Sequence, residues 1–158
     1  MASQKDLDKV YMQNALNMAT LSQAIRKKVG CVLVTPENLQ IGAYNGQPSG
    51  WDNRCEYEEQ VLHSELGKGS WFEKTGELVT LNTTIHSELN AILHAARQGV
   101  SVKGSTIYVT LAPCSACSAM IAQAGITRVV FKQDYRDMSG VQLLKQHGIL
   151  VEQIVDTA

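Results

Sequence analysis

Pro113-Cys114-x-x-Cys117 and His86-x-Glu88 are two short segments far apart in the chain that make sense chemically only if the fold brings them to one point. A hydrolytic zinc site takes three protein donors and leaves its fourth tetrahedral position open, and two thiolates with one imidazole are suitable donors. The two-residue gap lets both sulfurs converge from one helical turn, and Pro113 suits a first helical position, where a missing N–H costs nothing. A helix N-terminus also favours thiolates. His86 opens a second helix-forming run, so two helix N-termini are expected to face one ion. On a helix, positions i and i+2 diverge. Glu88 is therefore badly placed as a fourth ligand and well placed as a proton shuttle beside the open position.

Two plainer readings stay open for the cysteine pair: a structural zinc knuckle or two buried thiols. A structural site usually has four protein ligands, and the sequence has no second Cys-x-x-Cys. Cys31 lies in the apolar run Gly30-Cys31-Val32-Leu33-Val34 and reads as core. Cys55, between Arg54 and Glu56, reads as a surface or packing thiol, with a role at a second metal as the alternative.

The surrounding pattern fits one domain spanning 1–158. A chain of 158 residues with 44% hydrophobic content can bury a core without staples. Apolar positions from Asp6 to Leu21 follow a helical stripe. Gly30–Val34 and Leu39–Tyr44 flank a Pro-containing turn and predict an antiparallel hairpin. Between Asn45 and Asn82 the periodicity breaks, and an insertion at about 56–83 with some helix in it is expected. The pattern then alternates: helix from Ile85 ended by Gly99, strand Ser105–Thr110, helix Pro113–Ala124 closed by Gly125, strand Thr127–Phe131, helix Ser139–His147 and strand Ile149–Ile154. Right-handed crossovers make those last three strands parallel. The expected fold is thus α/β, a three-layer α-β-α sandwich around a mixed five-stranded sheet.

Charge and hydropathy narrow the partners. With 14 Lys plus Arg against 15 Asp plus Glu, no broad basic stripe of the kind that tracks phosphate backbones is present. A small molecule is expected rather than long nucleic acid. The polar start Met1–Asp8 and the lack of a membrane-length apolar run predict a cytoplasmic protein without a membrane partner.

His86-x-Glu88 with Pro113-Cys114-x-x-Cys117 resembles the signature of the zinc-dependent cytidine and deoxycytidylate deaminase superfamily. The stretches Ala43–Gly50, Ile85–Arg97, Tyr108–Cys114 and Gln123–Ile126 are similar to deoxycytidylate (dCMP) deaminases, particularly those of tailed bacteriophages. The likeness runs from about Val29 to Val155, excluding the insertion. It implies deamination of dCMP to dUMP for thymidylate synthesis, one catalytic Zn2+ per chain on His86, Cys114 and Cys117, and proton transfer by Glu88. It further implies a homohexamer in the cytoplasm (of the host, if phage-encoded), activated by dCTP and inhibited by dTTP, with Mg2+ accompanying the triphosphates.

The same resemblance assigns substrate contacts to Asn45 and Tyr135 and an effector or subunit-interface role to Arg97; Ser87 is counted with the substrate contacts and Tyr44 and Gly46 with the effector contacts, and the charge of Arg26-Lys27-Lys28 suits a substrate phosphate at Lys27 and an effector phosphate at Arg26 and Lys28. Asn45 also reads as a turn residue beside Gly46, Tyr135 as a rim aromatic, and Arg26-Lys27-Lys28 as a solvated basic run. Ser87 stands where the family usually has Ala. A second, structural zinc known in some phage relatives is not expected, because the corresponding positions hold Ala24, Arg54 and Thr84. Rival activities are deamination of dCTP or of free cytidine or deoxycytidine, then a tRNA adenosine deaminase or an inactive deaminase-like binding module. An RNA editor would want a basic, aromatic-lined surface, and an inert module would have no use for Glu88.

Overall fold

The computed structural model describes residues 1–155. In chain order the elements are α1 (Gln4–Ala19), β1 (Gly30–Val34), β2 (Gln40–Tyr44), β3 (Glu56–Glu65), β4 (Gly69–Thr80), α2 (Ser87–Gln98), β5 (Thr106–Leu111), α3 (Ser115–Gln123), β6 (Arg128–Gln133), α4 (Ser139–Gln146) and β7 (Leu150–Gln153). Five strands form one sheet in the order β2-β1-β5-β6-β7. β1 runs antiparallel to both β2 and β5, whereas β5, β6 and β7 are parallel. This is the mixed sheet expected from the alternating pattern.

The period-two alternation of the strands sorts the core into two layers. Cys31, Leu33, Ile107, Val109, Val129 and Phe131 face one side, where they pack with Ala91 of α2, Ile121 of α3, and Val141 and Leu144 of α4. Val32, Val34, Tyr108 and Val130 face the other and meet Tyr11, Met12 and Ala15 of α1. α1 rides so close on β1 that a Cβ at Gly30 would overlap backbone atoms of Ala15 and Ala19. A buried polar knot ties that helix down as well: Arg128 and the Tyr108 hydroxyl donate to the Asp8 carboxylate at 2.6–2.8 Å.

The insertion differs from expectation. Instead of containing helix, residues 56–80 form the antiparallel hairpin β3–β4, with Leu62 opposite Phe72 and His63 opposite Trp71. Its turn uses Gly67 and Gly69 in the left-handed region, at φ 87° and 82°. The hairpin stands off the sheet, and its strands pack only on each other among the helices and strands. Neither face needs a clean apolar alternation, and the register slips between Glu58 and Gln60. The sequence signal of a half-buried strand is therefore absent.

A second correction concerns Pro113, which is not the first residue of α3. Cys114 is the N-cap, so Pro113 sits one position outside the helix, where its fixed φ still shapes the entry.

Candidate active site

His86 and Cys114 occupy equivalent places: each is the extended N-cap residue of a helix, α2 and α3 respectively. Both helices pack on the same sheet face, so their positive ends converge. The entry to α2 is pinned by a two-way backbone bridge, in which Gly46 N–H donates to Ile85 O at 3.1 Å and Ile85 N–H returns to Gly46 O at 2.8 Å. Buried Cys31 donates its thiol to the Ser87 carbonyl at 3.0 Å, holding the first turn from beneath. Burial keeps that thiol protonated.

The three donors meet as a ligand set should. His86 Nδ1 lies 3.3 Å from Cys117 Sγ and 3.7 Å from Cys114 Sγ, and all three donor atoms fall within 4.8 Å of one another. Tetrahedral zinc with ordinary Zn–N and Zn–S bonds spaces such atoms about 3.6 Å apart. Without an ion, hydrogen bonds from Cys117 and His86 hold the Cys114 thiol down to about 3. That same bond to Cys114 pushes Cys117 up, and His86 is raised chiefly by its bond to Cys114. One imidazole and two sulfurs at these spacings are a suitable donor set, and the residues fit zinc.

Glu88 stands beside this cluster, 4% exposed. Burial raises its carboxyl above the ordinary range, against the opposing pull of its own backbone N–H, His86 and Ser87. The Ser87 hydroxyl donates to Glu88 Oε2 at 3.0 Å, a contact that alanine at this position could not make. A carboxylate held at one oxygen and raised by its surroundings is suited to taking and returning a proton.

A cavity of about 510 Å³ opens over the cluster. Of the residues expected from sequence, Arg26, Lys27, Asn45, His86, Ser87, Glu88, Cys114 and Tyr135 line it, while Cys117 is buried outside the lining. Lys28, Tyr44, Gly46 and Arg97 lie outside the lining. Arg97 sits in the last turn of α2, the opposite end of the helix from His86. Tyr44 gives its carbonyl to Asn90, and Gly46 serves the bridge to Ile85.

Asn45 is not a left-handed turn residue: among the described non-glycine residues, Asn38 alone has positive φ. Its amide instead bonds to Val29 N–H and the Lys27 carbonyl, each at 2.9 Å. One amide hydrogen remains for a ligand.

Sequence reasoning passed over Glu56, Thr80, Asp134 and Arg136, all in the lining. Arg136 was the most accessible of these, being next to Tyr135, whose ring its guanidinium overlies at 5.6 Å. Cys55 is buried, which favours packing. Thr84 donates its hydroxyl to the Cys55 carbonyl at 3.1 Å, and Ala24 lines the same cavity. His86, Cys114 and Cys117 are the only such metal-competent cluster among the described residues.

α4 completes the support. A Cβ at Gly140 would come within 2.6 Å of the Cys114 carbonyl carbon and overlap Pro113. Gly140→Ala is expected to displace the cysteine loop and weaken zinc retention by about tenfold or more, the usual scale for ligand-supporting positions. Chelator competition on the purified protein checks this.

Helix N-termini presenting one His, two Cys and a buried Glu at one end of a sheet are the arrangement of the zinc-binding deaminases. The chain belongs to the cytidine and deoxycytidylate deaminase family, whose zinc-binding region model matches residues 5–133. It is 32% identical over 147 residues to the deoxycytidylate deaminase of Enterobacteria phage T4, covering 78% of this chain and 76% of that one. To the deoxycytidylate deaminase of Mycobacterium phage D29 it is 32% identical over 132 residues, covering 84% and 98%. The crystal structure of the dCMP deaminase from cyanophage S-TIM5, in complex with dCMP and dUMP, superposes with a TM-score of 0.78 at 31% identity, covering 97% of this chain and 100% of that one.

Proposed function

We propose that the protein hydrolyses dCMP to dUMP and ammonia. The observation that carries this reading is that one cavity joins the His86, Cys114 and Glu88 cluster to three cationic side chains, Arg26, Lys27 and Arg136. Its volume suits a mononucleotide. A base set over Glu88 leaves the cations for a phosphate, and arginine in particular suits phosphate oxygens.

Zinc held by His86, Cys114 and Cys117 would supply a Lewis acid with one open position, able to acidify water at neutral pH. Glu88 takes a proton from the attacking water and delivers protons to the ring nitrogen and the departing amine. The C–N bond to the amino group breaks, a C–O bond forms at the same carbon, and the ring becomes uracil. Ser87 keeps the carboxylate in one orientation. Asn45 fixes the Lys27–Val29 backbone and offers its remaining N–H to the sugar. Tyr135, under the Arg136 guanidinium, forms part of the wall.

Resemblance to the phage enzymes extends the proposal to a cytoplasmic homohexamer activated by dCTP and inhibited by dTTP with Mg2+. No described helix is long and apolar enough to cross a membrane. Ammonia release from dCMP, dCTP, CMP and deoxycytidine, each with and without added dCTP or dTTP, tests the reading. Turnover is expected to be fastest on dCMP. Preference for deoxycytidine or dCTP would overturn the monophosphate assignment, and indifference to both triphosphates would remove the regulation.

A further inference from the structure

We propose that Glu56, at the foot of the β3–β4 hairpin, is a positioning residue that fixes the Ile25–Lys27 segment so that Arg26 and Lys27 reach the substrate phosphate. This rests on the dCMP reading above. Glu56 is 4% exposed, and among the described residues no cationic side chain forms an ion pair with it. It accepts the backbone N–H of Ile25 at both oxygens and that of Arg26 at one, all at 3.1 Å. A buried carboxylate without a cation is costly. Here two main-chain donors compensate it, and they belong to the stretch that carries two of the cavity's cations.

Residues 22–29 form neither helix nor strand, so their placement depends on side-chain anchors. Asn45 anchors one end, through Lys27 O and Val29 N–H. Glu56 anchors the middle. Thr80, paired with Glu56 across the hairpin, accepts from Arg26 Nη1 at 3.2 Å. The two feet of the hairpin thus hold one loop, Glu56 by its backbone and Thr80 by its guanidinium. The insertion, whose strands touch no other element of the fold, contributes to the site through its base.

The test compares Glu56→Ala and Glu56→Gln with the parent enzyme on dCMP and deoxycytidine, alongside amide exchange at Ile25 and Arg26. Glu56→Ala is expected to raise KM for dCMP by about 10- to 100-fold, the scale of a lost charge-assisted hydrogen bond, with a much smaller change in kcat. KM for deoxycytidine, which has no phosphate, should rise several-fold less. Amide protection at Ile25 and Arg26 should fall while that of α2 stays. Glu56→Gln keeps one acceptor oxygen and is expected to recover most of the loss. Equal losses on nucleotide and nucleoside, or unchanged exchange at Ile25 and Arg26, would overturn the proposal. If the parent enzyme proves inert on dCMP, the functional reading fails instead, and the exchange measurement still decides whether Glu56 holds the segment.

Discussion

Glu88→Gln is expected to keep its zinc and lose roughly 10²- to 10⁴-fold in kcat, the range that a positioned proton carrier supplies. The substitution is nearly isosteric. Gln can still accept from Ser87, whose hydroxyl lies 3.0 Å from Oε2 in the native protein, but it cannot take a proton from water or return one to the ring. The proposed metal donors are other side chains, so bound zinc should remain at one per chain. Cys117→Ala provides the contrast: it removes a donor 3.3 Å from His86 Nδ1 and should lose the metal itself. Metal analysis and steady-state kinetics on the same preparations separate the two effects. A Glu88→Gln enzyme retaining more than a tenth of native turnover would place the proton shuttle elsewhere.

Why the convergence of His86, Glu88, Cys114 and Cys117 was legible in the sequence and the cavity rim was not is a matter of geometry. Tetrahedral coordination demands particular donor types, and helix N-termini impose short spacings, so His86, Glu88, Cys114 and Cys117 carry their arrangement in their order. The strands of the sheet are equally transparent, because burial on both sides makes Val129-Val130-Phe131 a continuous apolar run. The β3–β4 hairpin has no such constraint. Tyr57, Leu62 and Phe72 are exposed on it, and with no core to face, hydrophobic periodicity cannot report its strands. Glu56 is harder still. It stands in an acid-rich run with Glu58 and Glu59, and only the fold shows that one of the three is buried against a distant backbone. Arg136 has its neighbour Tyr135 as a clue but no spacing rule of its own.

Far from the catalytic centre, Asp8→Asn should cost about 3 kcal/mol at neutral pH, near the lower end for breaking a buried ion pair. Arg128 donates to both Asp8 oxygens, at 2.7 and 2.8 Å, and the two side chains are only 14% and 13% exposed. Removing the carboxylate charge leaves the guanidinium with Glu152, a partner at 3.1 Å that is itself 45% exposed. For a domain of this size the loss corresponds to a Tm lower by roughly 6–12 °C.

The same pair sets a pH dependence. Burial alone would raise the Asp8 carboxyl, but hydrogen bonds from Arg128, Tyr108 and Gln4 together outweigh it and bring it from 3.8 to about 2. A group depressed in the folded state stabilises that state above its unfolded value, and this contribution disappears as pH falls through the folded one. Asp8 should therefore contribute about 2 kcal/mol at neutral pH that is lost between about pH 4 and pH 2. Urea melts across that interval should show the parent protein falling more steeply than Asp8→Asn. Replacing both partners, as Asp8→Asn with Arg128→Met, removes the under-compensated cation and should regain much of the loss. A double variant no more stable than Asp8→Asn alone would mean that the cost lies in packing at α1 rather than in an under-compensated charge beneath it.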